Sequence, residues 1–505
     1  MKLKFICILS MLLSCPLIIR GQDTLDFVYF NKVYNENIDS FGFSFWNIVP
    51  INEEYIAAGW YGELLPNGIT QKDMYIQKID KKGESKWKKV LYSEENITAF
   101  PSGNLFILLK NGLLLLSFMT EKETLAGYGD PHLMLLSDEG EVLISKNIGL
   151  EYPNVSLLVR QIIEVENGII LMGSRFQEGD SYSRIMLMKT SIFGEVEWLK
   201  TYGLAKTSRG FTVQQTTDGG FILGGDAIDE FDNHDMYIVK TDSQGNQQWD
   251  KRLGSEETDC AAFANILPDN TYLINGCITN AQGNHKLYLA KLDTNGGLIW
   301  EKTYNNLPTY QAFEDLCILE DGGFMATAFK FGTSGTSTEL MRFDSDGKIL
   351  WQKGLHLNEG KDCYLKDIEP TPDGGYVLCG FQYTSPQYSW VVKIDSLGNT
   401  CSYTGCDSTY TYINEVTPGV GDEPVVVSHF RVYPNPAENY IYLENSTKQA
   451  YIFTMYDLNG KKVLEHKASN SENISLHQLH QGMYFYQFIQ NEKAAISGKL
   501  TIHKF

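Results

Sequence analysis

The chain has 505 residues, a formal net charge of −20 and a pI near 4.9. That length exceeds what one ordinary hydrophobic core holds. The acidity, with only eight arginines in the whole sequence, excludes a nucleic-acid binder, because attraction to phosphate needs a basic face.

Residues 1–22 carry Lys2 and Lys4 and then an apolar run from Phe5 to Ile19, the pattern of a secretory signal peptide cleaved near Gly21 or Gln22. The run is short for a membrane anchor, and no later stretch is apolar enough to cross a bilayer, so the chain is read as not transmembrane. Leu12-Leu13-Ser14-Cys15 only faintly resembles a lipoprotein box, since Leu13 stands where a small residue is usual.

Residues 23–400 are organised by a repeat whose clearest copy runs from Asp235 to Lys251. Apolar residues alternate through Met236 and Ile238, a turn spans Asp242 to Gly245, and a second strand begins near Trp249. The turn glycine recurs as Gly83, Gly140, Gly194, Gly245, Gly296, Gly347 and Gly398, the last four steps being 51 residues each. Four residues later stands Trp87, Ile144, Trp198, Trp249, Trp300 or Trp351. A second repeated turn, as in Asp218-Gly219-Gly220-Phe221 and Asp373-Gly374-Gly375-Tyr376, alternates with the first. Four short strands per repeat of this size predict an all-β fold, a seven-bladed β-propeller of four-stranded blades.

The two ends of the repeat are unequal. Phe30-Asn31-Lys32-Val33-Tyr34 has the aromatic-x-Lys-x-Tyr spacing of Trp300 to Tyr304 but lacks three strands before it. Gly398, in turn, has no Trp after it. The N-terminal strand is therefore expected to complete the last blade and close the ring, which removes open sheet edges. Blades are expected at 41–90, 97–148, 156–202, 208–253, 259–304, 311–354 and 362–398 plus that strand. Two residues before the Asp of each C–D turn, or its equivalent, stands Lys78, Lys189, Lys240, Lys291, Arg342 or Lys393, with Leu136 breaking the series. The spacing puts base and acid on one face of a strand, and the pair is read as a structural ion pair rather than a functional ring of charge.

Export permits disulfides, and seven cysteines follow the signal peptide. Cys401 with Cys406 is the first candidate, across a short loop with a glycine; Cys260 with Cys277 and Cys363 with Cys379 are pairs across hairpins, or else buried thiols. Residues 401–429 read as a linker rich in Thr, Gly and Pro.

Residues 430–505 show alternating runs that predict a small C-terminal β-sandwich. Its segments Val432-Tyr433-Pro434-Asn435-Pro436-Ala437, Tyr456-Asp457-Leu458-Asn459-Gly460-Lys461 and Leu479-His480-Gln481-Gly482-Met483-Tyr484 resemble the signature segments of the type A C-terminal sorting domain of type IX secretion. The resemblance implies that Tyr433, Pro434, Asn435, Pro436, Asp457, Gly460, Gly482 and Tyr484 form the sorting motif. It further implies passage through the type IX machinery, and a mature protein that is secreted or attached to the outer-membrane surface.

Catalytic signatures are scarce. The nearest is the sialidase Asp-box, but here Asp to Gly is three residues and Gly to Trp four, as in Asp80, Gly83 and Trp87, so the register is wrong. Nucleophile-elbow, zinc-protease and phosphate-loop motifs do not occur. Asp229 to Asp235 puts four carboxylates in seven residues, and Asp229, Asp232 and Asp235 are the candidate oxygen ligands for calcium, although no glycine sits where a tight calcium loop turns; otherwise no cofactor is expected. Two function classes follow. The first is a secreted or surface binding module recognising an extracellular glycan or protein. The second is a polysaccharide-acting hydrolase or lyase whose carboxylates come from separate blades. A–B and C–D turns are short and uniform, while the B–C segments vary and carry Trp60, Tyr61, Tyr182, Phe231, Tyr383 and Tyr388. Adaptable loops bearing aromatics are what recognition uses, so these six are the expected ligand-binding residues.

Overall fold

The computed structural model describes residues 28–504, apart from 35–39, 65–69, 92–96, 100–102, 122–128, 280–282, 305–310, 333–334, 356–361, 385–386, 401–410, 413–424, 427–429, 434–436, 446–449, 458–460, 491–492 and the single positions 153, 178, 205, 256, 284, 438 and 503. Seven antiparallel sheets form the blades of a propeller, each running from an inner strand A to an outer strand D. Blade four shows the plan: Ser208–Gln215, Phe221–Ile228, His234–Thr241 and Gln247–Leu253. Blade seven takes Asp362–Pro370, Tyr376–Tyr383 and Tyr388–Ile394 and receives Phe30–Tyr34 as its outer strand, with Phe30 opposite Lys393 and Tyr34 opposite Ser389. Blade two is the irregular one, its inner strand broken into Ile97–Ala99 and Phe106–Leu108.

The repeated residues are clasps between neighbouring blades. Gly245, at φ 74°, makes the C–D turn of blade four, and a Cβ there would lie 3.0 Å from the Trp198 ring of blade three. Positive φ and the ring together require glycine. Tyr202 Oη, also on blade three, donates to the Gly245 carbonyl at 2.6 Å. The same clasp closes the ring. Phe30 stands where the Trp would be, 2.7 Å from a Cβ built on Gly83 of blade one, and Tyr34 Oη donates to the Gly83 carbonyl at 2.8 Å.

The repeated base does not pair with the Asp two residues on. Lys240, Lys291, Arg342 and Lys393 bind Asp218, Asp269, Asp321 and Asp373, the acids of the A–B turn in the same blade. Each base lies opposite the start of strand B, as Lys240 lies opposite Ile222, so its head reaches that turn. The C–D acid is already used: Asp242 Oδ1 accepts the N–H groups of Gln244 and Asn246, closing its own turn. Burial pushes the Asp218 carboxyl up, but hydrogen bonds from Thr216, Lys240 and Gly220 outweigh it and bring it to about 2.

Short linker strands Thr411–Tyr412 and Val425–Val426 pair with the outer edges of blades six and five. Beyond them, Phe430–Tyr433, Tyr440–Asn445 and Glu472–Ser475 form one sheet, and four strands from Tyr451 to Ile502 form another, with Ile441, Phe453, Phe488 and Leu500 buried together. Among the described residues no helix is long and apolar enough to cross a membrane.

Candidate functional site

The inner strands of blades one, three, four, six and seven each carry a β-bulge at the same place, leaving Trp46, Arg160, Phe211, Glu314 and Lys366 out of the ladder. A bulge kinks the strand and re-aims its side chains. The residue after the bulge reaches the next blade and accepts a backbone N–H there. Asn47 accepts from Leu105 at 3.1 Å, Gln161 from Val213 at 2.6 Å and Thr212 from Ala264 at 2.9 Å. Asp315 accepts from Ile368 at 3.0 Å and Asp367 from Ile48 at 2.7 Å. Of these, Gln161, Thr212 and Asp315 line an axial space of about 250 Å³ that also meets Asn104, Glu314 and Glu369.

Three carboxyls in and beside this space hold protons unusually tightly. Burial, with Glu369 nearby, pushes Asp367 up to about 7; burial and Asp315 push Glu369 up to about 8. Burial and the facing Asp367 hold Asp315 well above the carboxylate range, and a hydrogen bond shared with Asp367 adds to the shift.

The bulge residues differ from blade to blade, and at the seam of blades one and seven they open a cleft of about 330 Å³. Its walls are the rings of Trp46, Trp60, Tyr364, Phe381 and Tyr383. Trp46 and Tyr364 lie against Phe381, with centroids 5.6 and 5.3 Å away. The polar rim is Ser44, Asp362, Lys366 and Gln387. Lys366 Nζ is held 2.9 Å from Glu314 and lies over the rings of Trp46, Phe329 and Tyr364 at 5.1, 4.4 and 5.5 Å. Asp362 Oδ1 accepts the Thr336 N–H at 2.5 Å, and Gln387 Oε1 is buried without a hydrogen-bond partner. The starts of strands A and the ends of strands B build this cleft, so it opens on the face that carries the B–C and D–A connections.

Of the six expected aromatics, the cleft gathers two, Trp60 and Tyr383. Tyr388 begins the next strand beside Gln387 and is half-buried. Tyr61 lies in strand B of blade one opposite Phe43. Tyr182 and Phe231 are exposed on blades three and four, Phe231 at 82%, and do not line the cleft. The spacing overlooked Trp46, Tyr364 and Phe381. A signal existed, since Trp46, Arg160, Phe211, Glu314 and Lys366 all stand eight residues before the corresponding A–B turn position.

In the acidic turn, Arg252 bridges Asp229 at 2.9 Å and Asp235, while Asp232 pairs with Lys206 at 2.5 Å. A calcium ion there would have to displace Arg252. Cys260 and Cys277 are disulfide-bonded, and Cys317, Cys363 and Cys379 are free and buried. Cys401 and Cys406 lie outside the described residues, as do Pro434, Asn435, Pro436 and Gly460 of the sorting motif. Tyr433 ends its strand, Asp457 Oδ1 accepts the Lys461 N–H at 3.0 Å, Gly482 opens a strand, and buried Tyr484 donates to the His480 carbonyl at 2.9 Å.

Residues 431–503 match the family described as a secretion system C-terminal sorting domain. The chain is thus a β-propeller protein carrying that domain, secreted or attached to the outer-membrane surface. No curated protein matches it. Among solved structures it is similar to a saccharide-bound ulvan lyase of a new polysaccharide lyase family, at 9% identity and a TM-score of 0.49, over 70% of this chain and 96% of that one. It is also similar to the β-propeller domain of the Trilobed protease from Pyrococcus furiosus, at 9% identity and a TM-score of 0.41, over 75% and 100% of the two chains. A protein of unknown function from Dyadobacter fermentans matches at 10% identity and a TM-score of 0.41, over 72% and 98%.

Proposed function

We propose that the propeller is a non-catalytic carbohydrate-binding module delivered outside the cell by its sorting domain, and that the seam cleft is its recognition site. One observation carries this reading: rings from two blades, with Asp362, Lys366 and Gln387 at their edge, converge on one concave surface. Aromatic faces pack against the C–H faces of sugar rings, while fixed polar groups sort the hydroxyls. The volume is at the low end of the range of roughly 300–1,000 Å³ usual for ligand sites, room for a short stretch of a polysaccharide. A glycan array with the purified chain identifies the ligand. Trp46→Ala with Trp60→Ala is expected to lower affinity at least about tenfold at unchanged folding, since stacking contacts of this kind are worth about a kcal/mol or more each. Retained binding by that variant places recognition elsewhere.

A second reading, a polysaccharide-acting enzyme, is favoured by the proton-holding carboxyls Asp315, Asp367 and Glu369, which come from two blades. Against it, Asp315 and Asp367 already serve as acceptors between blades. If this reading holds, the array-positive polysaccharide is shortened by wild type and left intact by Glu369→Gln. No shortening ends it.

A further inference from the structure

Blade five holds a cluster that the repeat does not explain. Cys260 precedes strand Phe263–Ile266, Cys277 lies in strand Tyr272–Thr279, and His285 opens strand His285–Leu292. The two Sγ atoms and one His285 ring nitrogen all lie within 4.8 Å of one another, with Nδ1 3.7 Å from Cys260 Sγ and 3.3 Å from Cys277 Sγ. The Thr279 hydroxyl is 3.2 Å from the same nitrogen. We propose that these three side chains form a redox-gated site for a thiolate-seeking divalent cation of the zinc type, closed while the disulfide stands and opened by its reduction.

The geometry matches a coordination shell. Zinc binds sulfur at about 2.3 Å and imidazole nitrogen at about 2.0–2.1 Å, so adjacent S and N ligands of a tetrahedron stand roughly 3.6 Å apart and two sulfurs roughly 3.8 Å. In the disulfide form the two S···N separations bracket the first value, so His285 stands within ligand reach of both sulfurs. Only the sulfurs must part, from bonding distance to van der Waals contact. The three protein ligands leave a fourth position for water or the Thr279 hydroxyl, in the manner of an open site.

The chemistry balances. A phosphine reductant breaks the Sγ–Sγ bond, becomes the phosphine oxide by taking oxygen from water, and leaves two thiols. The cation then replaces both thiol protons, releasing two to solvent and leaving a neutral dithiolate site. Either state ties Cys260 to Cys277, so the approach to the inner strand stays pinned whichever link is present.

The test uses the full chain. It is treated anaerobically with an immobilised phosphine, freed of reductant and titrated with Co²⁺ as a spectroscopic stand-in for Zn²⁺. Expected is one equivalent bound with a thiolate-to-cobalt absorption band, displaced by Zn²⁺ and absent from the untreated disulfide form. Cys260→Ser with Cys277→Ser, which keeps the three other described cysteines, should lose the band. His285→Ala should weaken binding by more than the 10–100-fold that loss of an outer partner costs. The proposal is overturned if the double-serine variant keeps the band or His285→Ala binds as wild type does. It is equally overturned if the reduced chain shows no band, or unfolds and does not regain its circular dichroism with metal.

Discussion

At the scale of single residues, Asp367 links the most features. Its carboxyl accepts the Ile48 N–H of blade one at 2.7 Å and shares a hydrogen bond with Asp315 of blade six, so one side chain joins three blades at the seam. Its folded carboxyl holds a proton up to about pH 7, against an ordinary carboxyl range near 4. Because the folded state binds that proton more tightly than the unfolded chain, the stability is full below the ordinary range. It is lost as the pH climbs towards 7, at no more than about 1.4 kcal/mol per pH unit for one group. Glu369 extends the decline towards 8. Urea midpoints should therefore fall between pH 5 and 8, and Asp367→Asn should flatten that fall. An unchanged slope in the variant would show that the seam does not titrate there. Nothing in the sequence marked these acids, because Asn47, Gln161 and Thr212 do the same job elsewhere and share no residue type with them.

At the scale of elements, the blade was legible and the seam was not. Turn glycines at equal steps and the aromatic-x-Lys-x-Tyr pattern determine a clasp that repeats, so the pattern alone places Phe30 in the closing strand. The cleft joins strands that open and close the domain, as Ile48 and Asp367 do across 319 residues, and no local pattern spans that gap. Its Trp46 and Lys366 sit at a repeated position but differ in kind, which defeats a search by residue type. The A–B turn partner of the repeated lysines is not legible for a related reason, since strand periodicity says which face a residue takes but not how far a long side chain reaches. The clasps can be tested one at a time, at the ring closure and between blades three and four. Phe30→Ala, at a ring only 5% exposed, should cost about 3–5 kcal/mol in chemical denaturation, as full truncation of a buried Phe does. Gly245→Ala should cost more than the roughly 1–2 kcal/mol of a left-handed backbone alone, because the Trp198 ring fills the space. A loss below 1 kcal/mol in either variant would mean that the clasps are incidental to the ring.

At the scale of the whole molecule, the chain divides between a ring that presents a surface and a terminal domain that sets its destination. Fusing residues 431–503 to a periplasmic reporter in a host with type IX secretion should send the reporter outside the cell; a reporter retained in the periplasm would deny the domain that role. The ring's two faces differ in kind. One is tied down by A–B and C–D turns with their ion pairs, and the other carries the seam cleft and the exposed Tyr182 and Phe231. The central claim is that recognition lies at the cleft, and affinity electrophoresis in gels containing the array-positive polysaccharide tests it most directly. Trp60→Ala with Tyr383→Ala should run unretarded, while Tyr182→Ala with Phe231→Ala, on the same face but away from the cleft, should be retarded like wild type. The reverse pattern, with the cleft variant retarded and the other free, would contradict the account.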